Sequence, residues 1–198
     1  MPQVIALNGA PGVGKTTLLN LFKLLIPNSF IIPEYIDELE DADMKLKQYL
    51  EGTISAYQFQ DYILDYFESV ANRLTNSIYD YIFVERTPIE GILCFAHRDL
   101  INQRMTQVQY NQLLHRAKSL TFYPNPLEDE SITIYTDNLS PCQIVQHIIS
   151  SLPSITTIKL RASLTTLKTR IHQRGRQCEI QHYNDDYLKE MIETYQRQ

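Results

Sequence analysis

The sequence contains no tryptophan and only six glycines and three cysteines in 198 residues. Cys94, Cys142 and Cys178 are odd in number and lack metal-ligand spacing, which excludes a disulfide framework or a zinc site and reads as reduced thiols of an intracellular, cytoplasmic protein. Positive charge is not in excess. With 18 basic and 23 acidic residues the net charge is −5, which argues against a general nucleic-acid or membrane surface. No apolar run approaches the roughly 20 residues of a membrane span, and there is no repeat or low-complexity segment. A signal peptide is not expected, since residues 3–8 read as a buried strand. The length suits a single domain over residues 1–198 with a core that needs no staples. Scarce as glycine is, half of it falls together, at Gly9, Gly12 and Gly14.

That concentration marks the stretch around which the chain is organised. The apolar run from Gln3 to Asn8 leads into Gly9, Ala10, Pro11, Gly12, Val13, Gly14, Lys15 and Thr16, followed by a helix-prone segment from Thr17 to Leu25. This is the G-x-x-x-x-G-K-S/T pattern placed after a strand and opening a helix. Glycines allow backbone N–H groups to turn inward around phosphate oxygens, and the helix N-terminus adds partial positive charge. Lys15 is placed to reach β- and γ-phosphates, and the Thr16 hydroxyl to sit on Mg²⁺. The pattern implies a bound nucleoside triphosphate.

Apolar strands are expected at 30–32, 81–84 and 155–161, with a further strand-like segment at 131–136. Helical spacing covers 44–51, 55–74, 89–100, 107–119, 141–150 with Ser140 as cap, 164–172 and 187–197. The acidic residues 37–43 read as a solvated loop or helix start. Strands alternating with helices predict an α/β fold: a central parallel sheet with helices on both faces and ligands at the carboxyl ends of the strands.

Three of those strand ends carry chemistry: the loop after Asn8, Glu34, and Glu85 with Arg86. Opening onto one sheet edge, they converge on one phosphate site. Glu34 is placed to be a base for an attacking hydroxyl, Glu85 to complete Mg²⁺ coordination, and Arg86 to hold the acceptor oxygen. Basic residues concentrate at Arg170, Arg174 and Arg176, on and after a helix, with Gly175 as a flexible point. This cluster suits a lid, about residues 170–184, that closes over the triphosphate, with Arg174 a catalytic cation. Gln60 falls in a mostly apolar helix, where an amide without a partner is costly. These residues are open to three readings: a nucleoside kinase, a nucleoside monophosphate kinase such as thymidylate kinase, or a nucleotide-dependent switch without an acceptor site.

Together the motifs resemble a family, the deoxynucleoside kinases, with features of herpesviral thymidine kinases, and the resemblance covers most of the chain. Pro33-Glu34 is similar to the family's Glu-Pro segment, Phe59-Gln60-Asp61-Tyr62 to its Phe-Gln-x-Tyr helix, and Glu85-Arg86-Thr87 to its Glu-Arg-Ser motif. Pro88-Ile89 through Leu93-Cys94-Phe95 resembles the herpesviral stretch, and Arg170 through Glu179 resembles the family lid. The resemblance implies a P-loop kinase fold, with Glu34 as general base for a 5′-hydroxyl and Gln60 on the base edge. Phe95 and Ile63 would sandwich the base, with Tyr49 and Glu179 on the sugar 3′-hydroxyl. Residues 9–17 and the lid arginines would hold ATP, with Mg²⁺ on Thr16 and Glu85. A homodimer is implied as well.

The chain departs from the family at three places. Thr87 replaces Ser or His. Gly91 stands where cellular enzymes carry a base-selecting Asp, and the herpesviral base-site Arg falls at Asp99, beside Arg98. The family also has a strand and helix after the lid, whereas here the chain ends in the helix at 187–197, so Ser131–Thr136 is expected to fill the sheet edge out of sequence order. The expected activity is transfer of the γ-phosphoryl of ATP to a deoxynucleoside, thymidine or another pyrimidine. An arginine to hold an acceptor phosphate is missing next to Glu34, which disfavours the monophosphate reading.

Overall fold

In the computed structural model, which describes residues 2–197, the apolar runs become five parallel strands. In chain order the elements are β1 (Gln3–Asn8), α1 (Lys15–Leu25), β2 (Ser29–Ile32), α2 (Tyr35–Glu38), α3 (Ala42–Leu50), α4 (Ala56–Leu74), β3 (Tyr81–Glu85) and α5 (Pro88–Gly91). A π-helical stretch, Ile92–Ala96, joins α5 to α6 (His97–Ile101), followed by α7 (Gln107–Ser119) and β4 (Ser131–Tyr135). Next come α8 (Pro141–Ile149), β5 (Thr157–Arg161), α9 (Leu164–Arg174), α10 (Gln177–His182) and α11 (Asp185–Gln196).

The strand order is β2-β3-β1-β5-β4. β1 is central, with Ile5 beside Phe83 of β3 and Leu7 beside Ile158 of β5. The expected out-of-order strand is there: β4 pairs parallel with β5, from Ser131 opposite Thr157 to Tyr135 opposite Arg161. It is an edge strand, so its residues are mostly exposed and only Ile134 is buried, as an edge position with one covered face requires.

Both faces of the inner strands are covered, which is why they read as unbroken apolar runs. Ile5, Leu7 and Phe83 pack with Leu18, Phe22, Ile148, Leu167 and Met191 on one face. Ala6, Ile82 and Val84 point the other way, onto Tyr66, Phe67, Val70 and Leu74 of α4. A third apolar cluster, formed around Leu46, Phe59, Ile92 and Leu113, lies among α3 to α7. Ser140 caps α8, accepting the Gln143 N–H while the Gln143 side chain returns to the Ser140 backbone, as a capping box does.

The helix expected at 89–100 forms, and the π-helical stretch between α5 and α6 accommodates one extra residue in its turn. One local expectation needs correction. The acidic segment 37–43 is not simply solvated: Asp37 pairs with Arg176, Asp41 accepts the Tyr62 hydroxyl, and Ala42 is fully buried. The Cys178 side chain lies outside the described residues. No described helix is long and apolar enough to cross a membrane.

Candidate active site

The loop between β1 and α1 folds as its glycines demand. Gly9 (φ +146°) and Gly12 (φ +80°) take conformations that side chains rarely adopt. A Cβ on Gly9 would stand 2.6 Å from the Leu160 carbonyl oxygen, and one on Gly12 would stand 2.9 Å from the Leu167 carbonyl oxygen. Glycine is therefore required by close backbone approach as well as by φ. Lys15 opens α1 and donates to the Gly9 and Ala10 carbonyls at 2.9 and 3.2 Å. Its ammonium lies 3.5 Å from Glu85 Oε1. Burial, with help from Arg86, brings the Lys15 pKa from 10.5 down to about 8, against the pull of Glu85, Glu34 and Glu90. An incoming polyphosphate would supply the missing negative charge.

The three strand ends converge as expected. Thr16 Oγ1 donates to Glu85 Oε2 at 2.9 Å. Burial raises the Glu85 carboxyl, aided by Glu34 and opposed by Lys15 and Arg86. These two oxygen-bearing side chains fit Mg²⁺, a hard cation that keeps waters and phosphate oxygens in its shell. No group of three His, Cys, Asp or Glu side chains able to hold a metal occurs among the described residues, so the ion would come with the nucleotide.

Glu34 follows β2 and precedes α2. Arg86 Nη1 donates to its Oε1 at 2.5 Å, and Arg176 Nη1 lies 3.8 Å from Oε2. Burial would raise this carboxyl, but Arg86, Lys15, Arg176 and Arg174 together hold it below the ordinary value. It is ionised at neutral pH. Arg86 itself stands at φ +65°, a strained backbone for a non-glycine residue. Its guanidinium stacks over Phe95, 5.2 Å from the ring centre.

A cavity of about 470 Å³ joins this polar centre to an apolar end. Its lining includes residues 11–18, Glu34, Tyr49, Gln60, Ile63, Glu85, Arg86, Phe95, Arg170, Arg174 and Glu179, which covers most of the residues singled out from the sequence. Gln60 is 2% exposed, faces this cavity, and has no hydrogen-bonding partner among the described residues. Gly91 also lines it, and no atom comes within 4 Å of where its Cβ would be.

Some residues do something other than their motif suggests. The Tyr49 hydroxyl is turned to Asp99, donating at 2.8 Å, with its ring stacked on Phe59 at 4.4 Å. Asp99 is fully buried and Arg98 pairs with Glu190 at 2.7 Å, so neither lines the cavity. Arg170 donates to the Val13 carbonyl at 2.7 Å and to Thr136 Oγ1 at 3.0 Å. It ties α9 to the phosphate loop rather than standing free. Arg174 donates to Glu179, and Arg176 spans Glu179, Glu34 and Asp37. Gly175 (φ +77°) ends α9 and turns the chain back toward Glu34, and Arg174 and Arg176 are held there by carboxylates.

Phe59 of the Phe-Gln-x-Tyr segment also lines the cavity, together with Tyr35, Tyr183 and Tyr187, which the sequence did not mark. Tyr183 and Tyr187 stack at 4.4 Å and 6°, an i, i+4 pair whose aromatic spacing was visible but reads equally as core. Burial raises both hydroxyls, Tyr187 to about 12.

No family model and no curated protein matches the sequence. Among solved structures, the chain is similar to a deoxyadenosine kinase from M. mycoides with bound dATP, at a TM-score of 0.62 and 20% identity, over 98% of this chain and 82% of that one. The five-stranded parallel sheet, the helices on its two faces and this likeness give the chain a P-loop kinase fold.

Proposed function

We propose that the protein is a deoxynucleoside kinase, which transfers the γ-phosphoryl of ATP to the 5′-hydroxyl of a deoxynucleoside, thymidine or another pyrimidine. The observation that carries this reading is an ionised, mostly sheltered Glu34 beside the phosphate loop, lining a cavity that also presents the unpartnered Gln60 amide. A switch protein has no use for either group beyond the phosphates.

In this reading Lys15 and the loop N–H groups hold the donor phosphates. Bound Mg²⁺, held by Thr16 and Glu85, would neutralise charge on the phosphate oxygens. Glu34 accepts the proton of the 5′-hydroxyl. Its lowered pKa makes it a weak base, which suffices because phosphoryl transfer depends on positioning and charge more than on basicity. Arg86 holds the carboxylate in place, and Arg174 approaches the transferring group from the lid. Gln60 pairs with the base edge through its amide, and Phe95 and Ile63 pack on the ring faces. Tyr49 and Glu179 stand by the sugar 3′-hydroxyl, Tyr49 after its hydroxyl turns from Asp99.

A purine acceptor is a second reading, favoured by the space above Gly91 and by the deoxyadenosine kinase among the similar structures. Incubation with ATP-Mg²⁺ and a panel of deoxynucleosides and their monophosphates tests all of these. Phosphorylation of a deoxynucleoside is expected, with thymidine or deoxycytidine turned over ahead of the purines. Phosphorylation of monophosphates alone overturns the reading.

A further inference from the structure

Glu90 has no part in the reading above, yet it is fully buried against the first residue of the phosphate loop. It lies on α5, just past Arg86, with its backbone N–H fixed on Thr87 Oγ1 at 3.2 Å. Glu90 Oε1 accepts the Gly9 N–H at 3.4 Å, and Oε2 is buried without a hydrogen bond of normal length and angle. From α11, Tyr195 reaches the same place. Its hydroxyl oxygen accepts Arg86 Nε–H at 3.1 Å, which leaves its own proton to donate, with the Glu90 carboxyl beside it. Polar groups thus line the way from the Glu34-paired guanidinium through Tyr195 and Glu90 to the phosphate loop, with Glu90 Oε2 still unpartnered.

We propose that Glu90 is a positioning residue: as a carboxylate it accepts the Gly9 N–H and draws the Tyr195 O–H to its unpartnered Oε2, and so fixes both the Arg86 guanidinium and the start of the phosphate loop for transfer. When the carboxyl is protonated, Oε2 becomes a donor and no longer receives the Tyr195 O–H, so the hydroxyl turns and the oxygen that accepts Arg86 Nε–H is no longer held in place. The charged and titratable groups around it are Lys15 of α1, Arg86, Tyr195, and Arg161 at the end of β5, with Cys94 bearing on Tyr195. Burial outweighs the favourable charges and raises the Glu90 carboxyl to about 7. The switch between the two arrangements therefore falls near neutral pH, well above the acid range in which Glu34 protonates.

This inference rests on the kinase reading for its kinetic arm only. In nucleotide-free, ¹⁵N-labelled protein, the Arg86 Nε–H resonance is followed across neutral pH, assigned by its loss in Arg86→Lys. The wild type is expected to titrate with a midpoint near 7, and Glu90→Gln and Tyr195→Phe to abolish that step. A wild-type resonance that does not move, or a step that persists in both variants, overturns the proposal. Tyr195→Phe retains the carboxylate and serves if Glu90→Gln does not fold. In the kinetic arm, the acid limb of wild-type kcat/KM lies near 7 and moves to the Glu34 range in Glu90→Gln. There kcat falls by up to about 100-fold, with the KM for ATP little changed. An unmoved limb counts against Glu90. A wild type that phosphorylates no nucleoside removes the kinase reading, and the resonance alone then decides the role of Glu90.

Discussion

Arg86 Nη1 donates to Glu34 Oε1 at 2.5 Å, joining the residue after β3 to the residue beyond β2, with both side chains mostly out of solvent. The strained φ of Arg86 is what turns its side chain from the sheet edge toward that carboxylate. In the proposed reaction the pair stands between the donor phosphates and the acceptor. Glu34→Gln keeps an oxygen for Arg86 but loses the charge that takes a proton. We expect turnover to fall about 10²- to 10⁴-fold while ATP affinity, measured by calorimetry, stays within error. Unchanged turnover removes Glu34 from its role.

Gln60 offers a test in which stability and function move in opposite directions. The Gln60 amide opens onto the cavity with no hydrogen-bonding partner among the described residues, and leucine has nearly the same shape without the polar group. Gln60→Leu is expected to raise the melting temperature of the unliganded protein. It should also raise the KM for the accepted nucleoside by about tenfold or more, as loss of a base-edge hydrogen bond requires. A variant neutral in both measurements would make Gln60 an ordinary lining residue.

What could be read from sequence was what local physics dictates. The phosphate loop declares itself because strand, glycines, lysine and helix start are contiguous, and β4 was expected at an edge because no strand follows residues 170–184 and Ser131 to Thr136 was the strand left over. Gln60 stood out as an amide in an apolar helix. Nonlocal pairings left no such trace. Arg170 and Arg174 share a helix face on paper, yet Arg170 is drawn to the Val13 carbonyl because α9 packs against Gly12. Tyr49 meets Asp99 fifty positions away, and Tyr195 meets Arg86 across the entire lid. Buried polar pairs of this kind have no spacing rule to announce them.

The phosphate-loop lysine gives a pH signature for folding. Its folded pKa of about 8 lies below the ordinary 10.5, so between those values the unfolded chain binds the extra proton. Stability must then rise with pH through that window. The rise is roughly 3 kcal/mol at 1.36 kcal/mol per unit. Urea titrations of the nucleotide-free protein should show wild type gaining on Lys15→Met from about pH 8 upward, with Lys15→Met the more stable of the two near neutrality. A constant difference between them would mean that the buried ammonium is fully compensated by Glu85.

The two arginines of α9 should separate by experiment. Arg170 makes three hydrogen bonds that hold the phosphate loop to β4, at 2.7 Å to the Val13 carbonyl, 3.0 Å to Thr136 Oγ1 and 3.3 Å to the Thr136 carbonyl. Among the described residues Arg174 is bound only to Glu179, at the cavity. Arg170→Met leaves the Val13 carbonyl with the Thr136 hydroxyl alone, a loss of about 1–3 kcal/mol, or about 2–4 °C in Tm per kcal/mol. ATP binding should weaken with it, since the loop is what loosens. Arg174→Met leaves the fold intact and costs transition-state charge stabilisation instead. We expect an unchanged Tm, a modest change in the KM for ATP and a fall in kcat of about 10²- to 10³-fold. Calorimetry and steady-state kinetics on the two variants distinguish the roles; equal Tm losses would show that both arginines serve the loop, and equal kcat losses at constant Tm that both serve the lid.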